Sequence, residues 1–197
     1  MLDSMDPLPW YRRLFSSAPE PDLKTTLAKA GQGDADAQFG LGLKYSTATG
    51  EGIAQDFVQA AQWYHKAADQ NHALAQFNLS VMFASGQGVP QNDTTALMWT
   101  RKAAEGGDAG AQFRLGSRYH RTSMDRLQMD SAECRIEAYK WFHLASAQGY
   151  KGSAAACERV ALGMTREEVA DGNQRMAAFV ARRPATTLND PSRTTTE

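Results

Sequence analysis

The chain has 197 residues, a formal net charge of −1 and two cysteines. Near-neutral charge removes the general electrostatic attraction that nonspecific DNA binding requires, so only a local patch could hold nucleic acid. No apolar run approaches the roughly 20 residues of a membrane span, and the chain is long enough to bury a core without disulfides.

In chain order, residues 1–21 form an N-terminal extension that holds four of the seven prolines together with Trp10, Tyr11, Leu14 and Phe15. Trp10 and Phe15 are expected to cover the first helix; docking of the segment on a partner, or on a neighbouring copy to build dimers, is the alternative. The start Met1-Leu2-Asp3-Ser4-Met5-Asp6 has no basic segment followed by an apolar one. A cytoplasmic location is therefore the default, with periplasm or secretion expected if a leader has been removed. Residues 22–34 predict a capping helix whose Leu23, Leu27 and Ala30 share a face, stopped by Gly31 to Gly33.

Three units follow, over 35–72, 73–108 and 109–152. Each opens on the same triplet, Ala37-Gln38-Phe39, Ala75-Gln76-Phe77 and Ala111-Gln112-Phe113. Four, five and eight residues past the alanine come Leu41, Gly42 and Tyr45, then Leu79, Ser80 and Phe83, then Leu115, Gly116 and Tyr119. At about 100° per residue these offsets fall on one side of a helix, and the small residue at offset five permits close approach of a neighbour. The second helix of each unit carries a tryptophan framed by small residues: Ala60, Trp63, Ala67 and Ala68; Ala96, Trp99, Ala103 and Ala104; Ala138, Trp141, Ala145 and Ser146. Gly50-Glu51-Gly52-Ile53 and Gly86-Gln87-Gly88-Val89-Pro90 predict tight reversals between the two helices. Asp56 and Asn92 suit N-caps, and Asn71, Gly107 and Gly149 suit the left-handed residue that ends a helix. In the third unit the stretch from His120 to Ser131 stands where the turn should be and predicts a longer polar loop.

After the third unit, residues 153–181 predict a half repeat and a closing helix. Cys157 takes the slot held elsewhere by leucine, and Thr165-Arg166-Glu167-Glu168 reads as a capping box before Val169, Met176 and Phe179. Terminal units of a repeat array need a polar outer face, so the array is expected to be complete at this end. Residues 182–197, rich in threonine and without apolar periodicity, are expected to be a disordered tail.

The recurring string Ala-Gln-Phe-x-Leu-Gly-x-x-Tyr, then Gly-x-Gly-Val or Ile, an acidic or amide cap, and Ala-x-x-Trp-x-x-x-Ala-Ala resembles the Sel-1-like repeat, a relative of the tetratricopeptide repeat, over about residues 22 to 180. The resemblance implies an all-α fold, a right-handed solenoid of antiparallel helix pairs acting as a non-catalytic adaptor or scaffold for protein partners. It also implies that the first helices line the concave surface. Offsets three, seven and ten, at about 300°, 340° and 280°, lie opposite the core side. They carry Gly40, Lys44 and Thr47, then Asn78, Met82 and Ser85, then Arg114, Arg118 and Arg121, with His120 beside them. The expected partner site is Lys44, Asn78, Met82, Arg114, Arg118, His120 and Arg121. Arginine forks pair well with carboxylates, so an acidic or C-terminal partner segment fits. A solvated face paired with acids such as Asp125, or RNA and polyanion binding helped by Tyr119, are the alternatives.

For catalysis the sequence offers little. His65, His72, His120 and His143 lack the zinc-protease frame, and there is no Gly-x-Ser-x-Gly elbow or phosphate loop. Some cysteine-rich relatives are linked to β-lactamase-like activity, which the absence of Ser-x-x-Lys does not favour here. No cofactor or metal is expected. Cys134 is placed in a cap slot and Cys157 in mid-helix; this is not the spacing of a bridge within one repeat, so free thiols are expected.

Overall fold

The computed structural model describes residues 23–48, 53–125 and 130–182. The N-terminal extension, most of the first inter-helix turn, residues 126–129 of the expected polar loop and the threonine-rich tail from 183 onward lie outside the described residues, while Arg182, expected in the tail, ends the last helix. Among those described, the chain forms helices and no strand: α1 (Leu23–Gly31), α2 (Ala35–Thr47), α3 (Phe57–Asp69), α4 (Ala73–Ser85), α5 (Asp93–Glu105), α6 (Ala109–Ser123), α7 (Ser131–Ala147), α8 (Ser153–Ala161) and α9 (Arg166–Arg182). Helices α2/α3, α4/α5 and α6/α7 pack as pairs, and each pair stacks on the next through α3 on α4 and α5 on α6. The result is an all-α solenoid.

Local chemistry sets the helix ends. Asp34, Asp56, Asn92 and Asp108 each accept a backbone N–H of the first turn, satisfying donors that the helix cannot pair internally. Gly86, Gly88, Gly107 and Gly149 have positive φ, as does Asn71 at 64°. Gly88 also lies so close to Phe57 that a side chain there would meet the Phe57 backbone. Thr165 and Glu168 cap α9 reciprocally, each bonding the other's amide.

Two boundaries depart from expectation. Helix α6 runs through His120 to Ser123, so the polar stretch begins as helix rather than loop. Helix α7 starts at Ser131, which puts Cys134 in its first turn and not in a cap slot. In α1 the buried positions are Thr26 and Ala30, whereas Leu27 is 40% exposed. Cys134 and Cys157 are both free.

The core is a file of small and aromatic residues. Trp99 is 4% exposed and Trp141 5%, while Trp63 is half-buried under Lys66, whose Nζ sits 3.9 Å from the ring centroid. The alanines that frame the tryptophans leave space for the next pair: Ala67, Ala68, Ala75 and Leu79 share one cluster with Trp99, and Ala103, Ala104, Ala111 and Leu115 share another with Trp141.

Each glutamine of the opening triplet is buried and bonds backward. Gln38 Nε2 donates to the Ala30 carbonyl at 3.1 Å, Gln76 to Ala68 at 3.0 Å and Gln112 to Ala104 at 3.2 Å. Those carbonyls sit at helix ends, where each already accepts a backbone amide of the closing turn, from Gly33, Asn71 and Gly107; the glutamine takes the second acceptor site of the oxygen and fixes the register between neighbouring units. Each such bond contributes about 0.5–1.5 kcal/mol.

The closing helix folds back on α7. Gly172 packs against Tyr139, and Phe179 meets Trp141 edge-on at 5.4 Å. Arg175 joins Glu133, Glu137 and Asp171, and Arg135 joins Glu168, so apolar and ionic contacts seal the end together.

Candidate functional site

Arg114, Arg118 and Arg121 project from successive turns of α6 and line one groove of about 350 Å³. Its other wall is a face of α5, formed by Asp93, Ala96, Leu97 and Thr100, and Ala84 of α4 closes one end; Phe113, Leu115 and Ser117 complete the lining. The groove therefore has an apolar floor and one strongly basic wall.

Arg114 extends over Phe77, its guanidinium carbon 5.9 Å from the ring centroid. Although the residue exposes much of its area, desolvation draws its guanidinium below the ordinary value, with Tyr150 opposing. The group stays charged but is less hydrated than a free arginine, which favours exchange of water for a carboxylate. Among the described residues no carboxylate forms an ion pair with Arg114, Arg118 or Arg121. Among the described residues, Asp93 is the one acid in the groove lining.

The other four expected site residues stand elsewhere. Met82 is 4% exposed and belongs to the core with Phe39, Tyr64 and Trp99. Its offset lies only about 20° round the helix from the buried Ala75, so an apolar side chain there turns inward, while Arg118 at the same offset turns out. His120 does not join the arginines either. It lies about 160° round α6 from Arg118, edge-on to Phe142 at 6.5 Å. Burial and then the charge of Arg159 lower its pKa. Lys44 and Asn78 are half-buried on α2 and α4 and do not line this groove.

The α5 wall escaped the sequence reading, because a single-helix projection of α6 says nothing about which neighbour faces it. One signal was present. The residue after each tryptophan is Tyr64, Thr100 or Phe142, and only the middle unit has a small side chain there.

A helical-repeat scaffold with a basic-walled groove is thus the class that fold and site define. The family model of the Sel1 repeat matches residues 35–72, 73–108 and 109–150, and the chain belongs to the Sel1 repeat family. Proteins built from these repeats are in general protein-interaction scaffolds. Among solved structures, a Sel1 repeat protein from Oxalobacter formigenes is 30% identical, with a TM-score of 0.58 over 70% of this chain and 98% of that one. A protective antigen of uropathogenic Escherichia coli strains displaying an SLR fold is 23% identical, with a TM-score of 0.49 over 87% of this chain and 43% of that one. A search of curated proteins finds no match. No helix among the described residues is long and apolar enough to cross a membrane.

Proposed function

We propose that the chain is a non-catalytic adaptor whose α5–α6 groove holds a segment of a partner protein bearing acidic residues or a free C-terminal carboxylate. The observation that carries this reading is the set of three arginines on one groove wall without an ion-paired carboxylate among the described residues. Arg135 and Arg175, by contrast, are held by carboxylates of the chain itself. Arginine forks facing a partly desolvated groove give both orientation and attraction to a carboxylate.

The test is capture of partners from the native host on the wild type and on an Arg114→Ala, Arg118→Ala variant, followed by measured affinities for whatever is enriched. Each charged contact at such a rim is worth about 1 kcal/mol, so the double variant should bind more weakly by about tenfold or somewhat more, and wild-type binding should weaken with salt. Equal binding by both proteins, without salt dependence, removes the groove from consideration. Labelled RNA that binds the wild type and competes with the partner would move the assignment to polyanions.

A further inference from the structure

The groove contains a position that is filled by an aromatic ring in the units on either side. In the first unit Tyr64 lies against Gly42, where an added Cβ would be 2.5 Å from the ring. Its hydroxyl reaches Ser46 Oγ at 3.1 Å. In the third unit Phe142 lies against Gly116, where an added Cβ would be 2.9 Å from the ring, and His120 meets the far edge of that ring. The ring thus spans from offset five of the first helix to offset nine.

In the middle unit the corresponding residues are Thr100, Ser80 and Ala84. The ring and the glycine have both been exchanged for small side chains: Thr100, at the position of the ring, and Ala84, at offset nine, line the groove, while Ser80 at offset five is fully buried. Hydroxyls do not make the slot polar. Thr100 Oγ1 donates to the Ala96 carbonyl at 2.8 Å, and Ser80 Oγ to the Phe77 carbonyl at 2.7 Å. With both hydroxyls satisfied by their own helices, an entering apolar group leaves no polar atom of the slot newly unpaired.

Resting on the function proposed above, we infer that the middle-unit slot at Ala84, Leu97 and Thr100 receives an aromatic or other bulky apolar side chain of the partner segment. Arg114, Arg118 and Arg121 bind acidic residues that flank this anchor. The partner therefore has mixed chemistry, one large apolar residue set among carboxylates. The ring that the neighbouring units supply from within is here supplied in trans. The charge of the wall selects for acid, and the slot selects for the residue between the acids.

The test uses the full chain and three fluorescein-labelled peptides: an acidic one with a single central phenylalanine, the same with alanine in its place, and the phenylalanine peptide with lysines for its acids. Fluorescence anisotropy should show the wild type preferring phenylalanine over alanine by about tenfold or more, the scale of burying one aromatic side chain. The lysine peptide should bind far more weakly. A Thr100→Tyr, Ser80→Gly variant restores the pairing found in the first unit and should abolish the preference for phenylalanine, whereas Ser80→Gly alone should retain it. Arg114→Ala, Arg118→Ala should weaken both acidic peptides by the same factor.

An unchanged phenylalanine preference in the filled variant overturns the slot. So does a wild type that binds both acidic peptides alike; if that binding still depends on Arg114 and Arg118, the adaptor reading itself survives. Should the filled variant not fold, the wild type with a photoreactive benzophenone analogue at the phenylalanine position decides. Crosslinks to α4 or α5 beside Ala84, Leu97 and Thr100 support the slot, and crosslinks confined to other helices reject it.

Discussion

The stack should become more stable, relative to an Asp108→Asn variant, as the pH falls from 8.5 to 5.5. Asp108 N-caps α6 at the junction of the second and third units and is only 5% exposed. Its Oδ1 accepts the Ala111 amide at 2.6 Å, while Oδ2 has no hydrogen-bond partner among the described residues. Burial raises the carboxyl from 3.8 to about 7, against the amides of Ala111 and Gly110, which favour the charged form. A native pKa above the unfolded one means that the folded state holds the proton more tightly, so acidification stabilises it and the gain is lost as pH rises through about 7. At pH 5.5 the group stands about 1.5 units below its native midpoint, which corresponds to about 2 kcal/mol relative to pH 8.5. The positive N-terminal end of α6 favours the carboxylate by about 0.3–1 kcal/mol, leaving an expected gain of about 1–2 kcal/mol. Urea unfolding followed by circular dichroism at both pH values, for wild type and Asp108→Asn, measures the difference of differences. Titrations shared by the two proteins cancel, and the asparagine still offers an oxygen to Ala111. If the two proteins show the same pH dependence, Asp108 is not protonated in the way its burial requires.

The junction one unit earlier should respond in the opposite direction. His72 caps α4 by accepting the Ala75 amide on Nδ1 at 3.1 Å, with Nε2 3.2 Å from Asp36, so the cap exists only while Nδ1 is unprotonated. Burial lowers its pKa below 6.5, against the pull of Asp36. This contribution is therefore present above about pH 6.5 and is lost as the pH falls through the native value. Loss of a cap worth about 1 kcal/mol should lower Tm by about 2–4 °C between pH 7.5 and 5 relative to His72→Asn; equal melting shifts in the two proteins would rule out the cap as the cause. Gly42→Ala places a Cβ 2.5 Å from the Tyr64 ring and should destabilise by about 1–3 kcal/mol in denaturant unfolding. Adding Tyr64→Thr should make that alanine harmless, and a Gly42→Ala penalty of the same size in both backgrounds would mean that the ring is not what it meets.

How much of this was legible in the sequence follows from which contacts are local. Helix ends at Asp56, Asn92 and Thr165 were readable because a cap is chemistry between residues three apart. The pairing of tryptophan with small residues was readable because it recurs in phase. Gln38, Gln76 and Gln112 were visible as a repeated letter, but their bond to the end of the preceding helix has no local signature. Met82 and His120 were misplaced for a related reason. A wheel drawn for one helix assigns an angle, and the neighbouring helices decide whether that angle faces core, groove or solvent. Met82 falls at the border and its apolar side chain settles inward; His120 follows Phe142 to the opposite side of α6 from Arg118.

The same logic explains why the middle unit is the place to look for recognition. In a stack where each unit contacts only its neighbours, the fold requires every unit to keep its register and its close approach. Gln76 and Gln112 keep the register on both sides of the middle unit, and Trp99 keeps its core. With those in place the ring position is free to vary, provided that the residue opposite varies with it. Tyr64 with Gly42 and Phe142 with Gly116 are one solution, and the buried pair Thr100 with Ser80 is another, with two small side chains in place of a ring on a glycine. A large side chain buried in a core contributes about 1.5–3 kcal/mol, which the smaller pair does not supply. The pair lies beside a basic wall that serves no ion pair within the described chain. On the function proposed above, these two departures from what stability alone would favour, placed on facing walls of one groove, serve one and the same ligand.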